Sequence, residues 1–230
     1  MKKLIALLLT MIMVLSLAAC GEKTPAGNAV NKLPGQSNDE PSGEQALSVE
    51  SVKAAQESPA EDFEWTDEDG GAVVTGYNGN GGVVVIPAQH DGMDVVAISD
   101  SAFANCSEIT AVRLPDTVQK VGSEAFINCT GMKVFVSGAS VKRLGSYAFN
   151  ACINLETVIL NEGLETLAEM CFGGVELKEL EIPSTVTKIV AAFRAKSAEK
   201  PMVIIGTPGS YAEEYVEQEK DNRFLEFKAK

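Results

Sequence analysis

Phe103, Phe126, Phe149 and Phe172 stand 23 residues apart, and each carries the same surroundings. The stretch Ala-Phe-Ala-Asn-Cys at 102–106 returns as Ala-Phe-Ile-Asn-Cys at 125–129 and as Ala-Phe-Asn-Ala-Cys at 148–152. Cys-Phe-Gly-Gly-Val at 171–175 is a looser copy. Five positions before each Phe sits an aliphatic residue: Ile98, Val121, Leu144 and Leu167. A fixed period of 20 to 50 residues marks a solenoid, in which no repeat can bury its apolar face alone and each stacks on its neighbours. Aligned copies give units at 95–117, 118–140, 141–163 and 164–185, the last one residue short. They share the apolar columns Ile109, Met132, Leu155, Leu177 and Val112, Phe135, Val158, Leu180, with Leu114, Ser137, Leu160 and Ile182 following.

The spacing Leu-x-x-Val-x-Leu predicts one short parallel strand per coil. Val118-x-x-Val121-Gly, Val141-x-x-Leu144-Gly and Leu164-x-x-Leu167 predict a second apolar segment on the return path, and the Ala-Phe stretch a short helical or 3-10 turn. The full phrase, Val-x-x-Ile/Leu-Gly-x-x-Ala-Phe-x-x-Cys-x-x-Leu-x-x-Val-x-Ile/Leu-Pro, resembles the BspA-like leucine-rich repeats of bacterial surface proteins. The lead-in at 74–98 and the segment at 203–215 are similar to the usual first coil and C-terminal end of that family, so the resemblance spans about residues 72–216. Departures fall late: Val175 stands where Cys is expected, and Phe193 arrives early in a degraded stretch at 186–202. The expected fold is a leucine-rich repeat solenoid of about five to six coils of 23 residues with a C-terminal capping helix. The resemblance implies a secreted or surface solenoid for adhesion or protein interaction, with no catalytic residues to carry over.

The N-terminal segment speaks to location. Met-Lys-Lys precedes an apolar run from Leu4 to Leu17, and Leu-Ala-Ala-Cys follows at 17–20. That order reads as a secretory leader (1–19), too short for a comfortable membrane span. Its end resembles a bacterial lipoprotein lipobox, which would make Cys20 the lipidated first residue, anchored outside the cell membrane; several acyl chains anchor stably where one does not. Residues 20–60, rich in Pro, Gly, Ser and Glu, read as a disordered tether. Such a coil of about 40 residues spans roughly 35 Å. Within it, 46–56 could form only a transient helix. The cap and first coil occupy 61–94, the repeats 95–206 and the C-terminal cap 207–230. The formal charge of −13, or −15 once Lys2 and Lys3 leave with the leader, disfavours nucleic acid and charge-driven docking to an anionic membrane.

Catalytic chemistry finds little to work with. His90 is the single histidine, in a loop before the first full repeat. A nucleophile–base arrangement would have to use it. No nucleophile elbow, phosphate loop or cofactor motif is present. Gly76, Gly79, Gly81 and Gly82 read as a hairpin-like turn. Cys106, Cys129 and Cys152 share one repeat position and should stack about 4.8 Å apart. That arrangement fits a buried thiol ladder best, with one disulfide inside it or a metal as alternatives. Cys171, in the Ala column, should be buried too.

A partner site is sought on the strand residues between core positions, which face outward. One such column is Arg113, Val136, Ile159 and Glu181, in line with Val85; the other is Ala111, Val134, Thr157 and Glu179. Val134, Val136 and Ile159 would form an exposed aliphatic stripe, the kind of surface that marks a contact site. The same pattern also arises if β-branched residues merely suit strands, or if a terminal segment covers them. At the chain end, Ser210 to Glu213 reads as a capping box opening a helix to about Lys220, with Phe224 and Phe227 alternating in a last strand. Phe63 and Trp65 would cover the opposite end. The expectation is a monomeric, non-catalytic binder of an unidentified host or envelope protein. The alternative is an envelope scaffold or spacer.

Overall fold

The computed structural model describes residues 47–68, 70–194, 201–219 and 224–230. The leader, Cys20 and the tether up to residue 46 lie outside the described residues. Before the repeats come helix α1 (Val49–Ala54) and strands β1 (Phe63–Glu68), β2 (Gly71–Tyr77), β3 (Gly82–Val85), β4 (Gln89–His90) and β5 (Met93–Ile98). The repeats carry β6 (Ile109–Arg113), β7 (Lys120–Val121), β8 (Val134–Val136), β9 (Arg143–Leu144), β10 (Thr157–Ile159), β11 (Thr166–Leu167), β12 (Phe172–Gly173), β13 (Glu179–Glu181), β14 (Lys188–Ile189) and β15 (Phe193–Arg194). The chain ends with β16 (Met202–Gly206), helix α2 (Tyr211–Gln218) and β17 (Leu225–Ala229).

Each coil contributes one strand to each of two walls, so the chain is a leucine-rich repeat solenoid of about six turns. One wall runs β10-β8-β6-β3, all parallel, and aligns Ala111 with Val134 and Thr157, and Arg113 with Val136 and Ile159. Val85 pairs with Arg113 as its spacing required. The return wall runs β1-β2-β5-β7-β9-β11-β14 and places Ile98, Val121, Leu144, Leu167 and Ile189 in one file. Coils approach closely here: a Cβ on Gly145 would lie 2.4 Å from the Gly122 backbone, so a side chain there would force the coils apart.

Between the walls lies the phenylalanine ladder. Phe103, Phe126, Phe149 and Phe172 stack with centroids 4.9, 5.3 and 5.4 Å apart, within the range in which offset aromatic pairs attract. Phe193 extends the stack at 5.9 Å, because β15 pairs in parallel with β12. The degraded stretch therefore keeps its key contact despite its short spacing. The Ala-Phe segments form overlapping turns with hydrogen bonds three residues apart, such as Ala104 N–H to Ser101 O and Cys106 N–H to Phe103 O. Left-handed residues at Ser101, Asn105, Glu124, Asn128, Tyr147 and Ala151 interrupt these turns and aim alternate N–H groups at the next coil.

Both ends are closed by aromatics. Phe63 and Tyr77 pack on Phe103, while Tyr215 from α2 meets Phe193 edge-on at 6.1 Å. Burial pushes the Tyr215 phenol up to about 12. Three expectations need correction. The glycine-rich turn is a crossover, since β2 and β3 belong to different walls. The α2 capping box does not form: Glu213 accepts from the Gly209 N–H at 2.6 Å, and Ser210 Oγ is buried without a partner. Finally, Leu225 and Phe227, not Phe224 and Phe227, turn to the core from β17, which adds in parallel to β16.

Candidate functional site

The outward face of the β3-β6-β8-β10 wall carries an apolar cluster separate from the core. It contains Ala111, Val134, Val136 and Ile159 from the strands, and Leu47, Val49 and Val52 from the N-terminal segment. Val52 is 0% exposed, Val134 3% and Val136 5%. The stripe read from the repeats as exposed is thus covered by α1, and the correction is a physical one. A β-branched outward column attracts apolar cover, and residues 47–58 supply it. The final part of the expected disordered tether is therefore ordered.

Local sequence makes α1 possible. Ser48 accepts from the Ser51 N–H and Ser51 Oγ accepts from the Ser48 N–H, both at 3.1 Å, closing a reciprocal cap. Leu47 and Val52 flank that cap in the positions of a hydrophobic staple, a signal visible in Leu-Ser-x-x-Ser-Val but outweighed by the polar composition around it. The segment is then pinned by polar contacts. Arg113 Nη2 donates to the Ala55 carbonyl at 3.0 Å, where a cation suits a helix C-terminus. Ser58 N–H donates to Val85 O at 2.8 Å and Ser58 Oγ accepts from Val85 N–H at 3.1 Å. Glu57 accepts from the Ala88 N–H at 3.0 Å. Arg113 Nε is buried with no acceptor.

The six candidate contact residues do not form one open patch. Arg113, Val134 and Val136 lie against α1, and Ile159 sits at its margin. Thr157 is half-buried beside it on β10. Glu181 belongs to the other strand group, β13-β16-β17, and accepts from Lys230 Nζ at 2.8 Å. No hydrogen-bonded pairing joins β10 to β13, so the two halves of the face are distinct.

His90 stacks face to face on Trp65, centroids 4.2 Å apart, with Asp91 at 3.6 Å. Cys129, Cys152 and Cys171 are free and buried, and Cys129 and Cys152 donate to the carbonyls of Phe103 and Phe126 at 3.0 Å each. The Cys152 thiol and burial hold the Cys129 thiol far above its ordinary pKa, and burial does the same for Cys171. These are poor nucleophiles. Cys106, at the same repeat position, is buried as well. Among the described residues no group of three or more His, Cys, Asp or Glu is placed to hold a metal, and no helix is long and apolar enough to cross a membrane.

Residues 90–198 match the BspA type leucine-rich repeat region in six copies. Among solved structures the chain is similar to a leucine-rich repeat protein of T. pallidum, at 29% identity and a TM-score of 0.60, over 65% of this chain and 71% of that one. It also shares its fold with a leucine-rich repeat protein from Bacteroides ovatus, at 24% identity and a TM-score of 0.52, covering 63% of this chain but only 45% of that one. No curated protein matches the chain. Repeats of this kind fit a protein-interaction or surface role. The described chain is a leucine-rich repeat solenoid whose coils over residues 90–198 are similar to the BspA type.

Proposed function

We propose that this is a non-catalytic, lipid-anchored bacterial surface protein whose solenoid binds another protein, from a host or from the bacterial envelope, in an adhesive or assembly role. The observation that carries this reading is the second apolar cluster. Stacking the coils requires the inner columns alone, yet Val134, Val136 and Ile159 place aliphatic side chains on the outer face as well. α1 covers Val134 and Val136, so the part of this face open to a partner is its margin at the half-buried Ile159 and Thr157. The Leu-Ala-Ala-Cys sequence at 17–20 supports export and lipidation at Cys20, with the protein held outside the cell membrane.

Two measurements test it. Cys20→Ser should move the protein from the membrane fraction to the medium or the soluble envelope fraction; retention in the membrane would remove the lipid anchor from the reading. Soluble 21–230 should bind a host extracellular or envelope protein saturably, and Ile159→Asp should weaken that binding while leaving the melting temperature near wild type. An envelope partner alone would favour the scaffold role over adhesion. Binding unaffected by Ile159→Asp would move the contact away from this face.

A further inference from the structure

We infer that the β6–β8 face is a receiving site for a short amphipathic helix ending in a carboxylate, and that α1 is its displaceable intramolecular occupant. This deepens the interaction reading above and can fail without it, since a partner could use the outer loops instead.

The geometry of the occupied site shows what it recognises. Ala111, Val134 and Val136 form the floor, and Val52 of α1 packs on it fully buried. Arg113 stands at the C-terminal end of the helix and gives one N–H to the Ala55 carbonyl. Its Nε–H is shielded from water yet has no acceptor. A guanidinium is a planar fork suited to two parallel hydrogen bonds from one carboxylate. The α1 occupant supplies a single carbonyl and leaves half of that fork unused. A helix with a carboxylate in the place of Ala55 would satisfy both donors. α1 is therefore an incomplete ligand for its own site.

The occupant is short and separate from the core: it is six residues long, its apolar contacts belong to a cluster apart from the one that holds the coils, and leaving would break only the hydrogen bonds of Ala55, Glu57 and Ser58 to the wall. Isolated helices of that length are marginal in water, so α1 persists only while docked. Its release would uncover Val134 and Val136 without breaking a coil-to-coil hydrogen bond.

The test uses chain 21–230 and a fluorescent peptide of residues 47–58, with an Ala55→Glu version. In chains carrying Val52→Asp, which empties the site, the peptide should bind saturably. Wild type, whose own α1 competes, should bind at least about tenfold more weakly. The Ala55→Glu peptide should bind about tenfold tighter than the parent, and Arg113→Met should erase that gain. Hydrogen exchange on wild type gives a readout independent of any variant. Amides of Val52, Ala55 and Ser58 should exchange far faster than those of Phe103 and Phe126, whose release needs the coils to open. Equal exchange at both places would make α1 a fixed part of the fold and overturn the proposal. So would absence of peptide binding to a folded Val52→Asp chain. Wild-type dimers that Val52→Asp abolishes would show that the occupant is a second copy, which also overturns it.

Discussion

At the scale of single residues, the left-handed positions recur with the repeat and so record what each coil demands of the backbone. Asn105, Asn128 and Ala151 occupy one such column, at φ of 63°, 59° and 61°. Asn tolerates this region because its short polar side chain bonds locally, whereas an ordinary residue loses roughly 1–2 kcal/mol there. Asn128 Nδ2 also donates to Asn105 Oδ1 at 3.0 Å, and Ala151 interrupts that ladder. Ala151→Asn should therefore stabilise the solenoid by about 1 kcal/mol. A denaturant midpoint that falls or stays put would mean the alanine is unstrained. The phenylalanines give the opposite sign. Phe149 stacks between two neighbours, and Phe149→Ala should cost about 3–5 kcal/mol by removing contacts on both faces. Phe193, nearer the end and with only Phe172 in its stack, should cost less on the same substitution; an equal loss would show that the ladder does not end where Tyr215 meets it.

At the scale of elements, whatever recurs was legible and whatever is non-local was not. The strand registers, the return-wall file and the Phe stack follow from a period, since each residue meets its own image 23 positions away. Phe193 is legible only as an early copy, because its spacing shortens although its pairing survives. Cover on Val134 by a terminal segment is an open alternative in the sequence, but which segment supplies it is not legible: it comes from Val52, and no local pattern in either segment names the other. β17 is a comparable non-local addition, and a charge clamp adds to its pairing with β16. Lys230 Nζ reaches Glu181 at 2.8 Å and Glu162 at 4.0 Å, and Ser184 donates to Glu162 through its N–H and hydroxyl. The slight burial of Glu162 works against ionisation, but the Ser184 hydrogen bonds and Lys230 outweigh it and hold its carboxyl below 4.5. The Glu181 hydrogen bond holds Lys230 above 10.5. A lowered carboxylate stabilises above its unfolded pKa and stops doing so as pH falls through its folded value. A raised ammonium stabilises below its unfolded pKa and stops as pH rises through its folded value. The clamp should therefore act between about pH 4.5 and 10.5. Lys230→Met should lower the melting temperature slightly inside that window, by an amount that shrinks as pH rises above it. A difference that does not shrink with rising pH would point to lost packing instead of lost charge.

At the scale of the whole molecule, a solenoid is held by nearest-neighbour contacts, so its stability depends on where a seam lies and on what closes its ends. The seam lies between β10 and β13, where the outer wall divides into two strand groups at the repeat that is one residue short. The return wall and the phenylalanine stack run across it unbroken. The C-terminal coils are therefore joined to the rest by the return wall, the phenylalanine stack, the turn hydrogen bonds and the Ser184–Glu162 contacts but without strand pairing on the outer wall, while the coils before the seam have both walls. Tyr215 closes the end beyond the seam and is buried against Phe193. Tyr215→Ala should uncover that ring and destabilise the C-terminal coils by about 1–3 kcal/mol. The loss should stay on its own side: native-state hydrogen exchange should quicken at Leu180, Ile182 and Ile204 and hardly change at Phe103 and Phe126. A uniform acceleration over all coils would mean that the stack transmits the defect through the seam and that the solenoid unfolds as one unit.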